Sequence, residues 1–420
     1  MMKNVFSGIV LIVLTTLCSV AQTTYVKQLI LAEGTGGTVY VSSYDPESGE
    51  RSIFDSIQTG YAQWVFIEDH FAYVAATDSI VKYDIDTYER VDETYMTHLH
   101  ELHVFGDHLY VGRWLDAGDG VYLKVLNKND LSQLIFEVPE IDEPTFGIVF
   151  THDSVYVAIY GGYGSTSGKL AVVDPVTQSF VRFIDFGENG QGIGDIFTDD
   201  YNIYMVNETF NWADDTVGSI ATYNLSTGEV TFDFYEEIIT RGYALNYTAL
   251  FTLLNGNIAV YNLYSGEYSN TNLIAGPGGY DAVSSVVLDR INSKLYVATT
   301  DYYSYGEGNI YDLSGNSLGT FDVGISTDAM DIDYRTETGI SEKHNAITEI
   351  YPNPAVDYIR IKTVDGFDKL TVSDLSGRQI IQRFNGTENE FLSLSSLPVG
   401  SYIIGVFTNK NVSYHELIKF

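Results

Sequence analysis

The sequence predicts an all-β chain, a seven-bladed β-propeller followed by a small C-terminal β-sandwich, on three observations. A short apolar strand recurs seven times at intervals of 37 to 48 residues, and a second strand ending in Asp or Asn interleaves with it strictly. Beyond about Thr336 both rhythms stop and the charge balance changes. Composition agrees: 45% of the 420 residues are apolar and 38 are glycine, which suits many short strands and not a disordered polyelectrolyte. With 22 Lys and Arg against 56 Asp and Glu the formal charge is -34, so no nucleic acid or anionic membrane surface is expected as a partner, because neutralising phosphates needs clustered basic side chains.

Residues 1–21 read as a signal peptide. Lys3 supplies the positive start, Val5 to Leu17 the apolar run, and Ser19, Val20 and Ala21 the small residues of a cleavage site, which puts the mature start at Gln22. The apolar run is too short to span a bilayer, so no transmembrane segment is expected after signal removal. Cys18, the only cysteine, would leave with the signal, and with it any disulfide or thiol chemistry. A lipoprotein reading would use Cys18, but Leu17 stands where such signals carry a small residue.

The first rhythm runs through Ile30, Tyr73, Tyr110, Tyr156, Tyr204, Phe251 and Tyr296; the second through Asp45, Asp84, Asn127, Asp174, Asn224, Asn262 and Asp312. Units of about 45 residues with four short strands cannot bury both faces alone, but in a ring each sheet packs on its neighbours. The Asp or Asn starts the tight turn between third and fourth strands, since its side chain bonds to its own backbone. The chain enters on the second strand of blade one, so Asp328 to Tyr334 is expected to supply that blade's missing first strand and close the ring, giving a propeller over 22–335 and a linker at 336–347. Over roughly Thr24 to Arg335 these LYVA-type strands and YDxxTGE-type turns resemble the secreted surface-layer-type propellers of the broad YVTN family. That resemblance implies the scaffold and no single function, because the group includes structural surface proteins, proteins that capture small molecules or cobalamin, and a few lyases and lactonases.

The acidity belongs to the propeller: Gln22 to His344 holds 48 acidic and 14 basic residues, whereas Asn345 to Phe420 holds 8 and 7. In the tail, Tyr358 to Lys362 alternates, Gly377 marks a hairpin, and Ser401 to Thr408 reads as a closing strand. Tyr351, Pro352, Asn353 and Pro354, then Val372 to Ile380 around Gly377, Leu397 to Val406 around Gly400, and the terminal Leu417, Ile418 and Lys419 resemble, in order and at the chain end, the type A sorting domain of the type IX secretion system. For residues 348–420 the resemblance implies handling by the type IX secretion machinery, removal of the tail, and release or anchoring at the cell surface. The alternative is an ordinary C-terminal β-sandwich used for binding.

Between second and third strands the connection is long in blades three, four, five and seven: Trp114 to Gly120, Tyr160 to Gly168, Glu208 to Gly218, and Thr300 to Gly308. These loops raise one rim carrying Trp114, Asp116, Asp119, Tyr160, Tyr163, Trp212, Asp214, Tyr302 and Tyr303. Aromatic planes beside short acids suit a glycan or another flat amphipathic ligand, and Asp116 with Asp119, or Asp214 with Asp215, could hold calcium through oxygens, although no cofactor is certain and no DxDxDG loop is present. Equally, these are hydrophilic surface loops. His98 and His100 fall on the innermost strand of blade three at the channel mouth, with Glu101 beside them; such a pair can ligate zinc or exchange protons, but no third ligand is identifiable, and histidines lining a wet channel fit as well. The paired acids Asp84 with Asp86 and Asp331 with Asp333 read as solvated charge. No P-loop, GxSxG or HExxH occurs. The expectation is a secreted or cell-surface binding protein for an unknown extracellular ligand, a glycan, peptide or small molecule. The alternatives are a lyase or hydrolase using His and Glu at the channel mouth, or a purely structural surface-layer or adhesion protein.

Overall fold

Residues 22–114, 117–161, 167–209, 217–279, 281–338, 349–363, 366–374, 378–408 and 411–420 are described by the computed structural model. The chain divides into two compact units, Tyr25–Arg335 and one that holds Thr336–Phe420.

The first unit is built of seven four-stranded sheets. In six blades the order follows the chain, as in Ala62–Glu68, Phe71–Ala76, Ser79–Asp84 and Glu89–Tyr95 of blade two. Every residue of the first rhythm falls on a second strand and every Asp or Asn of the second rhythm ends or directly follows a third. Second strands are buried on both faces, because neighbouring blades cover each side of the twisted sheet; Tyr73, Tyr110 and Tyr296 are all within 1% of complete burial. Fourth strands such as Glu89–Tyr95 are largely exposed, with the polar alternation of an outer edge.

All seven Asx side chains perform the same local act. Asp45, Asp84, Asn127, Asp174, Asn224, Asn262 and Asp312 each accept, through Oδ1, the backbone N–H two residues on, at 2.7–3.0 Å. The turn is thus closed by its own first residue, which is why the pattern survives where the surrounding sequence does not.

Blade one is completed by the strand Thr327–Thr338, which lies beside Gln22–Glu33. Gln28 donates to Asp333 Oδ2 at 3.0 Å and to the Ile85 carbonyl at 2.9 Å, while Arg335 pairs with Asp333 and Asp86. Asp331 and Asp333 differ from the solvated charges that the sequence suggested, whereas Asp84 and Asp86 stand at an outer turn with Asp86 exposed. Asp333 is wholly buried, Asp331 Oδ2 accepts the Ile67 N–H of the adjacent blade at 2.8 Å, and Asp84 caps its turn. Carboxylates on the closing strand satisfy backbone and guanidinium donors where the two ends of the propeller meet.

In the second unit a three-stranded sheet (Glu349–Tyr351, Tyr358–Lys362, Asn389–Ser393) and a four-stranded one (Gln379–Gly386, Phe367–Asp374, Gly400–Thr408, Asn411–Lys419) share one core, in which Ile359 and Ile361 meet Leu370, Val372, Ile404 and Leu417. The closing strand is therefore Asn411–Lys419 and not Ser401 to Thr408, which pairs on both sides. Gly377 lies outside the described residues, between the paired strands Phe367–Asp374 and Gln379–Gly386. Asn353 fastens the YPNP segment to the chain end: its Oδ1 accepts the Ile418 N–H at 2.9 Å and its Nδ2 donates to the Glu416 carbonyl at 2.6 Å. Lys419 is buried apart from its contact with the Phe420 carbonyl, and Gly400 opens the central strand.

Candidate functional site

Each innermost strand contributes an early residue to the channel. Nine or ten positions before the second-strand aromatic stand Trp64, His100, Phe146, Asp195 and Arg241, in blades two to six, and the closing strand adds Asp328. The ends of second strands add a second tier: Trp114 after His108–Arg113, Tyr160 after Ser154–Ile159, Glu208 after Asn202–Asn207, and Tyr302 after Lys294–Thr300.

Blades two to four form an aromatic arc. Ring centroids lie 6.5 Å apart for Trp64 and His100, 6.3 Å for His100 and Trp114, 4.4 Å for His100 and Phe146, and 4.4 Å for the stacked pair Phe146 and Tyr160. Arg113, 2% exposed, fixes the Trp114 end. Its guanidinium donates to the Thr97, Ala117 and Val121 carbonyls and pairs with Asp119 at 2.6 Å, so that five donors of a planar fork bind the loop from inside. Asp119 also takes Lys124 at 2.7 Å; although its burial acts the other way, the bonds from Lys124 and Arg113 hold its carboxyl well below the usual range.

Blades five to seven and the closing strand form a charged arc. Arg241 acts electrostatically on Asp195 and Glu208 of blade five, Glu101 of blade three, Asp328 of the closing strand and Tyr302 of blade seven. Arg241 thus lies among groups of blades three, five and seven and of the closing strand. Burial pushes Asp195 up to about 7, with Arg241 and the Gly242 N–H opposing. Burial and the Asp195 charge push Glu208 up to about 7 and Glu101 up to about 8. His100 is driven down to about 3 by burial and by Arg241, so its imidazole is neutral. The carboxyls each meet a donor: Asp195 Oδ2 the Gly242 N–H at 2.8 Å, Glu208 the Tyr160 hydroxyl at 3.0 Å, Asp328 the Ser326 hydroxyl at 2.6 Å, and Glu101 the Ile148 amide.

The structure thus brings Trp114, Tyr302 and His100 to the mouth, buries Tyr160 behind it against Phe146 and Glu208, and leaves Tyr303 turned outward, 88% exposed. Asp119 is engaged with Arg113 and Lys124. Asp116, Tyr163, Trp212 and Asp214 lie outside the described residues. His98 precedes the strand with a φ of 60°, and its carbonyl accepts the Trp114 N–H at 2.9 Å. Among the described residues His98 Nδ1 and His100 Nδ1 are buried without a hydrogen-bond partner, and no three His, Cys, Asp or Glu side chains converge on a point that could hold a metal ion. Sequence reasoning missed Trp64, Phe146, Asp195 and Arg241; the signal that finds them is the column nine or ten residues before the second-strand aromatic, read down the repeats.

Two solved structures share the fold. A quinonprotein alcohol dehydrogenase-like protein from Bacteroides thetaiotaomicron aligns with a TM-score of 0.54 at 13% identity, covering 74% of this chain and 79% of that one. The WD40 repeats of RRP9 align with a TM-score of 0.51 at 10% identity, covering 87% and 99%. At such identities the likeness speaks for the propeller alone. Among curated proteins no relative matches. Among the described residues no helix is long and apolar enough to cross a membrane. Residues 349–419 match the family described as the secretion system C-terminal sorting domain. The chain is therefore a β-propeller that carries a type IX C-terminal sorting domain, handled by that secretion machinery and exported to the cell surface or beyond.

Proposed function

We propose that the propeller is a secreted or cell-surface binding module whose ligand sits at the channel mouth, and that the ligand is a glycan. The observation that carries this reading is the division of the mouth into an aromatic arc, Trp64, His100, Phe146, Tyr160 and Trp114, facing a charged arc, Asp195, Glu208, Arg241 and Asp328. A sugar ring presents an apolar face for stacking and a rim of hydroxyls for hydrogen bonding, the two demands such a mouth makes at once.

Thermal unfolding of the mature chain with panels of glycans, short peptides and calcium tests it. A glycan at a hundred times its dissociation constant adds about 2.7 kcal/mol of stability. The double variant Trp64→Ala, Phe146→Ala abolishes that gain. A glycan that binds the variant undiminished places the site elsewhere, and a hit confined to peptides or calcium removes the glycan reading.

One observation favours a second reading. Glu208, pushed up to about 7, lies in the field of Asp195, and a pair of neighbouring carboxyls, one of them able to hold its proton near neutrality, is the equipment of a glycoside hydrolase. Cleavage of a bound oligosaccharide that Glu208→Gln abolishes would establish it; intact ligand recovered after long incubation would dismiss it.

A further inference from the structure

In the charged arc every carboxyl has a donor, but among the described residues Arg241 has no hydrogen bond and no ion pair. Asp195 is held by the Gly242 amide, Glu208 by the Tyr160 hydroxyl and Asp328 by the Ser326 hydroxyl. Arg241 sits in the field of these acids without engaging any of them, in contrast to Arg51, Arg90, Arg113 and Arg335, all of which are paired. Its five N–H groups, half-exposed on the innermost strand of blade six, lack protein acceptors among the described residues, in a protein with 48 acidic residues between Gln22 and His344. A half-exposed guanidinium without a protein acceptor is open to a ligand, and the partner that its planar fork fits best is a carboxylate held by two parallel bonds.

We infer that Arg241 receives the carboxylate of the ligand, so that the mouth selects acidic sugars of the uronic type over neutral ones. The inference rests on the glycan reading above and adds its chemical class. The ring of the sugar lies against Trp64 and Phe146, and its carboxylate points across the channel to blade six.

The groups that face Arg241 set the dependence on conditions. Asp195, Glu208, Glu101 and Asp328 surround it, with neutral His100, Tyr243 and Tyr302 completing the wall. While these carboxyls keep their protons, the positive charge of Arg241 stands uncancelled; as they ionise it is neutralised and an incoming carboxylate is repelled. Affinity for an acidic sugar is therefore highest below neutrality and falls as pH rises through about 7 to 8, the range in which Asp195, Glu208 and Glu101 lose their protons. The overall charge of -34 opposes the approach of an acidic ligand, so added salt speeds association, opposite to its usual effect on charged ligands.

The test compares an oligogalacturonide with its methyl ester, by calorimetry on the mature chain at pH 6. The acid is expected to bind at least roughly tenfold more tightly than the ester, the weight of a hydrogen-bonded charge. Arg241→Gln removes that ratio while ester binding persists, and Arg241→Lys, which keeps the charge without the fork, restores only part of it. Acid and ester binding equally, with Trp64→Ala and Phe146→Ala still abolishing both, overturns the role of Arg241 and leaves the glycan reading standing. Tighter binding of a chitosan oligosaccharide than of the oligogalacturonide overturns it in favour of a cationic ligand. If no glycan binds at all, both readings fall together.

Discussion

Glu33 Oε1 accepts the backbone N–H of Gly324 at 2.8 Å, across 291 residues of chain. The same carboxylate takes the Ser42 and Thr327 hydroxyls and pairs with Arg51 while only 1% exposed, so one acid ties the first described strand of the propeller to the segment that precedes the last. A Cβ on Gly324 would stand 2.8 Å from the Glu33 carboxylate, so a larger residue there would have to displace it.

Removing this node should open the ring. Glu33→Ala leaves the Arg51 guanidinium, the Gly324 amide and two hydroxyls without their acceptor, a loss of about 3 to 5 kcal/mol. Urea unfolding of the mature chain reads it, and Gly324→Ala should destabilise in the same direction. An unchanged midpoint for both variants would show that the seam does not depend on Glu33.

Arg113 should govern the loop more than its charge suggests. Arg113→Lys retains a cation but not the fork that reaches Thr97, Ala117, Val121 and Asp119 together, so the loop from Trp114 to Gly120 should become a protease site and stability should fall by on the order of 3 kcal/mol. Limited proteolysis followed by mass spectrometry reads the cut.

Stability should decline from acid towards alkaline pH. Asp195, Glu208 and Glu101 have folded-state values raised to about 7, about 7 and about 8, above those of the unfolded chain, so the folded protein holds more protons than the unfolded one across that interval. Their contribution is complete below pH 4 or so and is lost as pH climbs through about 7 to 8. Unfolding midpoints at pH 5 and pH 8.5 should differ in that sense, and Glu208→Gln should reduce the difference. A midpoint that rises with pH would refute the assignment.

In the sorting domain, Asn353→Ala removes two bonds to the terminal strand at about 1 kcal/mol each. Amide exchange along Asn411–Lys419 should quicken, and export of the chain should drop if the fastened end is what the machinery handles. Exchange unchanged from wild type would assign the hold to the backbone bonds of Ala355 alone.

The scaffold was legible because it repeats. Seven Asx residues in a fixed phase with seven apolar strands report the same local bond seven times, and the closing strand could be read from the strand missing before Gln22. The mouth was legible only at its aromatic and histidine edge, where Trp114, Tyr160 and His100 stand out in composition. Arg241 and Asp195 did not, because one side chain per blade converges only in the ring, and nothing local marks a residue whose neighbours lie forty or more residues away. Asp119 looked like a ligand group because its local sequence does not show Arg113 beneath it.

The strand Thr327–Thr338 also sets the timing of assembly. Six sheets can zip up as their own residues arrive, from neighbours in sequence, whereas the sheet begun by Gln22–Glu33 must wait until some 300 further residues have been delivered. Until then the first blade presents a bare edge to whatever passes, and its completion is the most non-local strand pairing of the propeller. A chain delivered from its N-terminus thus becomes a closed ring only when the last part of its propeller has arrived, so a truncated product stays recognisably open.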